Sequence, residues 1–253
     1  MRYNKFILPS FSYSRSAKPF CDGVKIKYWK KRINSMVFVN KTHREEKCNL
    51  FSIEGPDGVG KSTVISQAHA LSAKAFLRFK TPPEQIAGVR SLYDSRFVNI
   101  NTRFSYYFGS NLLLSDIVRP LLADNLVGVD RMILSTIAYH NVLSGKKDAF
   151  TWFLRQYFDL GGIFPDITIV LTAEKEARLK RLNFRPQNQN TEHDLDLDLS
   201  SRVQDEYLRL VVSKCYSSQF FVIDTTNMSL DSVARFILQT IGVTAERNLK
   251  EVC

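Results

Sequence analysis

Five short, mostly apolar runs punctuate the chain, at residues 50–53, 75–79, 126–129, 167–171 and 220–223. Each is too short for a buried helix and shows little polar alternation, the pattern of a strand covered on both faces. Longer stretches between them repeat apolar residues at helical spacing: 62–71, 83–93, 102–122, 135–143, 149–158, 175–182, 199–214 and 230–241. Strand and helix alternate without an internal repeat. That order predicts an α/β fold with three α/β/α layers around a five-stranded parallel sheet.

The first predicted strand runs into Glu54-Gly-Pro-Asp-Gly-Val-Gly-Lys-Ser-Thr63. Gly55, Gly60, Lys61 and Ser62 stand at the G-x-x-x-x-G-K-[ST] spacing of a phosphate-binding loop. Glycines there let backbone N–H groups converge on a polyphosphate, since a Cβ blocks that approach. The following helix aims its positive end at the phosphates. Residues Gly55, Pro56, Asp57, Gly58, Val59, Gly60, Lys61, Ser62 and Thr63 are therefore the predicted ATP-binding segment. Lys61 would reach the β- and γ-phosphates, and the Ser62 hydroxyl would ligate Mg²⁺. The fold expectation narrows to a P-loop NTPase.

Charge divides the chain unevenly. Residues 1–47 hold 12 Lys/Arg and 3 Asp/Glu, whereas residues 48–253 hold 23 and 22. All but one of the ten net positive charges thus belong to an N-terminal extension, which argues against nucleic acid as a partner of the core. Three readings fit residues 1–47: a presequence for mitochondrial import, a disordered arm, or a segment upstream of a true start at Met36. Residues 48–253 form the expected kinase domain. The four cysteines are scattered, with no C-x-x-C pair, so a reducing compartment and a cytoplasmic location are the default. No run approaches the roughly 18 apolar residues of a membrane span. A polar, acidic insert follows a basic helix and reads as a mobile lid over about 185–198.

A second candidate cluster begins at Asp130-Arg131, at a strand end, where parallel sheets bind ligands. Asp130 could hold Mg²⁺ and Arg131 could neutralise phosphate charge. The text that follows, Asp130-Arg-Met-Ile-Leu-Ser-Thr-Ile-Ala-Tyr-His140, resembles the "DRY…S…AYQ" signature of thymidylate kinases. The Glu54–Thr63 loop is close to that family's E-G-x-D-G-x-G-K-S-T, and Pro165-Asp-Ile-Thr-Ile-Val-Leu171 is similar to its P-D-x-T-x-x-L strand. The resemblance runs from about residue 49 to 241.

It implies transfer of the ATP γ-phosphoryl group to a nucleoside monophosphate, foremost dTMP, by a homodimeric enzyme. It places Asp57 near the acceptor sugar, Arg131 on the phosphates, Tyr139 on the deoxyribose and His140 near the base. Tyr106 would stack on the base, and Arg181 and Arg185 would flank the lid. With Lys61, these arginines and Asp57 are the expected catalytic set, since phosphoryl transfer relies on positioning and charge neutralisation. Arg178 and Lys180 read as solvated helix positions, and Tyr207 as core.

The acceptor side departs from the family pattern. An acceptor-site arginine four residues after the stacking aromatic is replaced by Ser110, and the R-E-P-G motif gives way to Arg78-Phe-Lys-Thr-Pro-Pro83. Losing a bidentate guanidinium clamp removes on the order of 2–4 kcal/mol in a partly buried site. Lys80 or Arg78 would have to replace it, or the acceptor is an unphosphorylated deoxynucleoside. The acidic lid leaves a further alternative, a nucleotide-binding module without catalysis.

Overall fold

A computed structural model describes residues 36–39, 48–184, 196–213, 217 and 219–244 of the 253-residue chain. Its strands are β1 (Met36–Val39), β2 (Leu50–Glu54), β3 (Leu77–Lys80), β4 (Val127–Asp130), β5 (Ile167–Thr172) and β6 (Gln219–Asp224). They form one sheet in the order β1-β6-β5-β2-β4-β3. The five later strands are mutually parallel, as their apolar runs predict. A sixth strand was not foreseen: β1, within the basic extension, adds antiparallel to β6, with Met36 opposite Ile223. The remainder of residues 1–47 lies outside the described residues.

The helices are α1 (Lys61–Leu71), α2 (Glu84–Ala87), α3 (Arg90–Asp94), α4 (Ile100–Val118), α5 (Ile133–Ser144), α6 (Phe153–Asp159), α7 (Lys175–Asn183), α8 (Leu197–Ser213) and α9 (Leu230–Thr240). One face of the sheet packs Phe51, Ile53, Ile169 and Leu171 against Val64, Ala68, Val233 and Ile237 of α1 and α9. The other packs Val170, Phe220 and Val222 against Phe104, Ile137, Val203 and Tyr207 of α4, α5 and α8. Burying each such side chain stabilises the fold by about 1.5–3 kcal/mol. None of the helices among the described residues is long and apolar enough to cross a membrane.

Three predicted helices differ from their sequence reading, each for a local reason. The 83–93 stretch breaks at Gly88-Val89 into α2 and α3, neither of which buries a residue whose packing would hold one helix together. The 102–122 stretch ends its α-helix at Val118, because Pro120 lacks the N–H and the last turn tightens to a 3₁₀ turn at Arg119–Leu121. The 149–158 helix starts only at Phe153, after a turn in which Asp148 takes a left-handed φ of 59°.

β2 has β4 on one side and β5 on the other, so the chain reverses its direction of travel at the carboxyl end of β2. That crevice is where open α/β sheets place ligands. The loops after β2 and β4 both open into it.

Candidate active site

Residues 55–60 connect β2 to α1, and their path needs glycine. Gly55 has φ 134°, and a Cβ there would lie 2.3 Å from the Leu171 carbonyl oxygen. Gly58 and Gly60 have φ 83° and 96°. The loop therefore rests on the backbone of β5, and its apex on α7, where a Cβ on Gly58 would lie 3.0 Å from Arg178 Cβ. Lys61 opens α1 and is buried; its Nζ donates to the Pro56 carbonyl at 2.7 Å and lies 3.7 Å from Asp57 Oδ1. Ser62 and Thr63 are exposed at the helix start.

Ser62 Oγ donates to Asp130 Oδ2 at 2.5 Å, while Asp130 Oδ1 is buried with no hydrogen-bond partner among the described residues. One hydroxyl and one carboxylate with an unused oxygen form a hard oxygen donor set of the kind Mg²⁺ prefers. The two residues expected to serve the metal thus stand together.

Arg131 follows β4 in a left-handed conformation, φ 69°, unusual for a residue with a side chain. Its guanidinium is turned back over the loop. It meets Asp57 Oδ1 at 2.5 Å, the Gly55 carbonyl at 3.1 Å and the hydroxyls of Tyr207 and Tyr139 at 3.3 Å. It also lies over the Tyr139 ring, 5.1 Å from the centroid. Tyr139 in turn donates to Asp57 Oδ2 at 2.6 Å. Burial opposes the charge of Arg131, but the Asp57 carboxylate holds its pKa well above the ordinary value. Burial likewise pushes the Tyr139 hydroxyl well above its usual range. Asp57, Arg131 and Tyr139, distant in sequence, therefore form one node beside Lys61.

Glu54 holds that node from below and was missing from the expected site set. Its fully buried carboxylate accepts from Met132 N at 2.8 Å and from the Ser135 hydroxyl. Ser135 shares a 2.6 Å bond with the Tyr207 hydroxyl. These bonds fix the first turn of α5 and the Arg131 that precedes it. Burial raises the Glu54 pKa from 4.5 to about 7, with its Ser135 and Met132 bonds pulling the other way. An acidic residue ending an apolar strand was the available signal. Tyr207 is core, as expected, but its hydroxyl also serves this network.

The residues expected on the acceptor side do not all face the crevice. Ser110 is fully buried and its hydroxyl bonds back to the Tyr106 carbonyl at 2.7 Å, so it does not face the crevice. A helical serine with no other partner satisfies itself on the preceding turn. His140 is also buried, its Nδ1 on the Thr136 carbonyl at 2.7 Å and its ring packed edge-on by Phe104 and Phe150. Burial lowers its pKa to about 4, so it is neutral at ordinary pH and sits in an aromatic core. Tyr106 is half-buried; Tyr93 stacks on its ring at 4.3 Å and 5°, and its hydroxyl donates to the Ile86 carbonyl at 2.9 Å. Lys80 is exposed at the end of β3 and in register with Asp130. Arg78 instead bonds Ser66 on α1 at 3.0 Å.

Beside Tyr106 lies a polar cluster not foreseen. Asp94 meets Arg90 Nε and Arg103 Nη2, each at 2.9 Å, and accepts from the Tyr107 hydroxyl at 2.7 Å. Two guanidinium groups around one carboxylate leave a net positive charge on this wall. The i,i+4 pairs 90/94 and 103/107 were the legible hint.

Two lid-side arginines also differ from expectation. Arg178 is buried, not solvated. Arg181 bonds Thr225 Oγ1 at 2.9 Å and its carbonyl at 2.6 Å, and reaches the Val59 carbonyl at 3.5 Å, bracing the loop against the end of β6. Arg185 and the lid over 185–195 lie outside the described residues.

Comparison with known proteins decides the family. A sequence-family model described as "Thymidylate kinase" matches residues 53–237. The chain belongs to the thymidylate kinase family. It is 29% identical over 207 residues to a thymidylate kinase of Limosilactobacillus reuteri, covering 76% of this chain and 94% of that protein. It is 27% identical over 193 residues to one of Geobacillus, covering 71% and 90%. The fold matches a solved thymidylate kinase from Candida albicans with a TM-score of 0.57 at 20% identity, over 78% of this chain and 92% of that one. The thymidylate kinase family match spans both the phosphate loop and the Asp130–Arg131 node, and makes the chain a nucleotide kinase.

Proposed function

We propose that this chain transfers the γ-phosphoryl group of ATP to the phosphate of dTMP. The observation that carries this reading is the convergence of Asp57, Arg131 and Tyr139 beside Lys61. A phosphate-binding loop alone fits any triphosphatase. A carboxylate, a guanidinium and a phenol gathered at the loop's apex suit a second, sugar-bearing phosphate placed in line with the first.

In this reading the loop amides of residues 55–63 and Lys61 hold the donor phosphates. Arg131 exchanges Asp57 for phosphate oxygens and stabilises charge on the transferring group. Asp57, freed, accepts from the acceptor sugar. Tyr139 packs on the deoxyribose, and Tyr106 offers a ring beside the base. Ser62 and Asp130 would hold Mg²⁺, which when bound neutralises phosphate charge and orients the donor. Lys80, in register with Asp130, would supply a cation to the acceptor phosphate in place of the expected arginine. Arg181 supports the loop rather than the reacting atoms. A homodimer in the cytoplasm completes the reading; sedimentation at micromolar concentration tests the dimer.

ADP release measured with a panel of nucleosides and nucleoside monophosphates tests the function. Turnover with dTMP above the other acceptors is expected. Turnover of thymidine without dTMP would assign the chain to deoxynucleoside phosphorylation, which the loss of the arginine at Ser110 would then explain. Tight ATP binding with no turnover of any acceptor would leave a nucleotide-binding module.

A further inference from the structure

Arg178 is among the largest fully buried side chains of the molecule, only 1% exposed. A guanidinium is charged at any ordinary pH, and taking it out of water is costly unless an anion compensates it. Its partners here are neutral: the Ser200 hydroxyl and, at 2.8 Å, the Ser201 hydroxyl. Its Nε is buried with no hydrogen-bond partner among the described residues. No described carboxylate forms an ion pair with it; Asp205, Asp57 and Glu176 act on it only at longer range. Burial accordingly lowers its pKa from the ordinary arginine value. Its two hydroxyl bonds tie α7 to α8 but supply no negative charge, so a merely structural tie would be made as well by a neutral side chain.

The location of this cation is specific. The Arg178 backbone lies against the apex of the phosphate loop, closest to Gly58. Its charge is felt first by Tyr139 and also by Asp57, both members of the Arg131 node. A buried cation with no ion-paired carboxylate among the described residues therefore stands on the helix that touches the loop apex, within electrostatic range of Asp57 and Tyr139. We propose that Arg178 binds phosphate at the reaction centre, its missing counter-ion being the phosphoryl group that passes from donor to acceptor. The inference rests on the phosphotransfer reading above. The incoming phosphate oxygens replace the serine hydroxyls as acceptors, exchanging neutral partners for charged ones. Arg178 thereby adds, from α7, a second guanidinium to that of Arg131.

Arg178→Met and Arg178→Lys test this. With Met, kcat should fall about 10²–10³-fold, the size of losing one preorganised charge donor, and KM for ATP should move less than about threefold. Lys should recover part of the loss. The thermal midpoint of the ligand-free Met variant should equal or exceed that of wild type, because an unpaired buried charge is removed. Its gain in midpoint on adding ADP, aluminium fluoride and dTMP should shrink. A Met variant with kcat within about threefold of wild type overturns the proposal. So does a lower ligand-free midpoint with an undiminished gain, which marks a merely structural tie. If Met does not fold, Lys gives the same two readouts. Should wild type turn over no monophosphate, the acceptor reading fails by itself. Arg178 is then judged by ADP and aluminium fluoride alone, an equal gain in wild type and Met counting against it.

Discussion

The donor side of the crevice is positioned by backbone and the acceptor side by side chains. On the donor side Gly55 rests on the Leu171 carbonyl at a distance only glycine tolerates, and Gly58 lies close against α7. On the acceptor side α3 is fastened to α4 by Asp94, Arg90, Arg103 and Tyr107, and by the Tyr93–Tyr106 stack. Neither α2 nor α3 buries a residue. Geometry held by backbone survives exchange of neighbouring side chains, whereas geometry held by a few polar contacts changes with each of them. In the proposed function the first wall fixes the reaction type, and the second would set which acceptor fits.

The strongest challenge to this division is removal of charge at the node. Lys61→Met or Arg131→Met should each lower kcat about 10³-fold while the protein stays folded by circular dichroism. Activity near wild type would remove Lys61 and its loop from the reaction in the first variant, and the guanidinium of the node in the second. Asp94→Asn tests the other wall. It loosens α3, and KM for the acceptor should rise about tenfold with KM for ATP unchanged. Equal shifts in both constants would erase the distinction between the walls.

Glu54 provides a pH test. Its pKa is raised from 4.5 to about 7, so its contribution to stability is fully present below about 4.5 and is lost as pH rises through about 7. Glu54→Gln should flatten the fall in unfolding free energy across that interval, measured by urea titration at several pH values. An unchanged slope would mean that Glu54 ionises normally. The smallest expected effect is at Ser110, whose hydroxyl only bonds its own helix. Ser110→Ala should leave acceptor KM within about twofold and stability within about 0.5 kcal/mol. A tenfold rise in KM, as isothermal or steady-state titration would show, would return Ser110 to the acceptor site.

The legibility of the molecule follows the same boundary. The parallel strands were readable because burial on both faces leaves apolar runs, and the loop because a backbone that must accept phosphate demands glycine at fixed spacing. The node of Asp57, Arg131 and Tyr139 followed from two local motifs. Direction of side chains was harder to read. Ser110 and His140 occupy the expected helices but point into the core, since a helix rotates its face by about 100° per residue. Arg178 has the composition of a solvated position and the burial of a core one. β1 was hidden because an edge strand of four residues carries little periodicity.

Gly55 has a consequence for the history of the chain. With φ 134° and the Leu171 carbonyl 2.3 Å from any Cβ, every single substitution there collides with β5, so no gradual path leads away from the residue. The α3–α4 wall meets no such backbone obstacle, its contacts being made by side chains around Asp94.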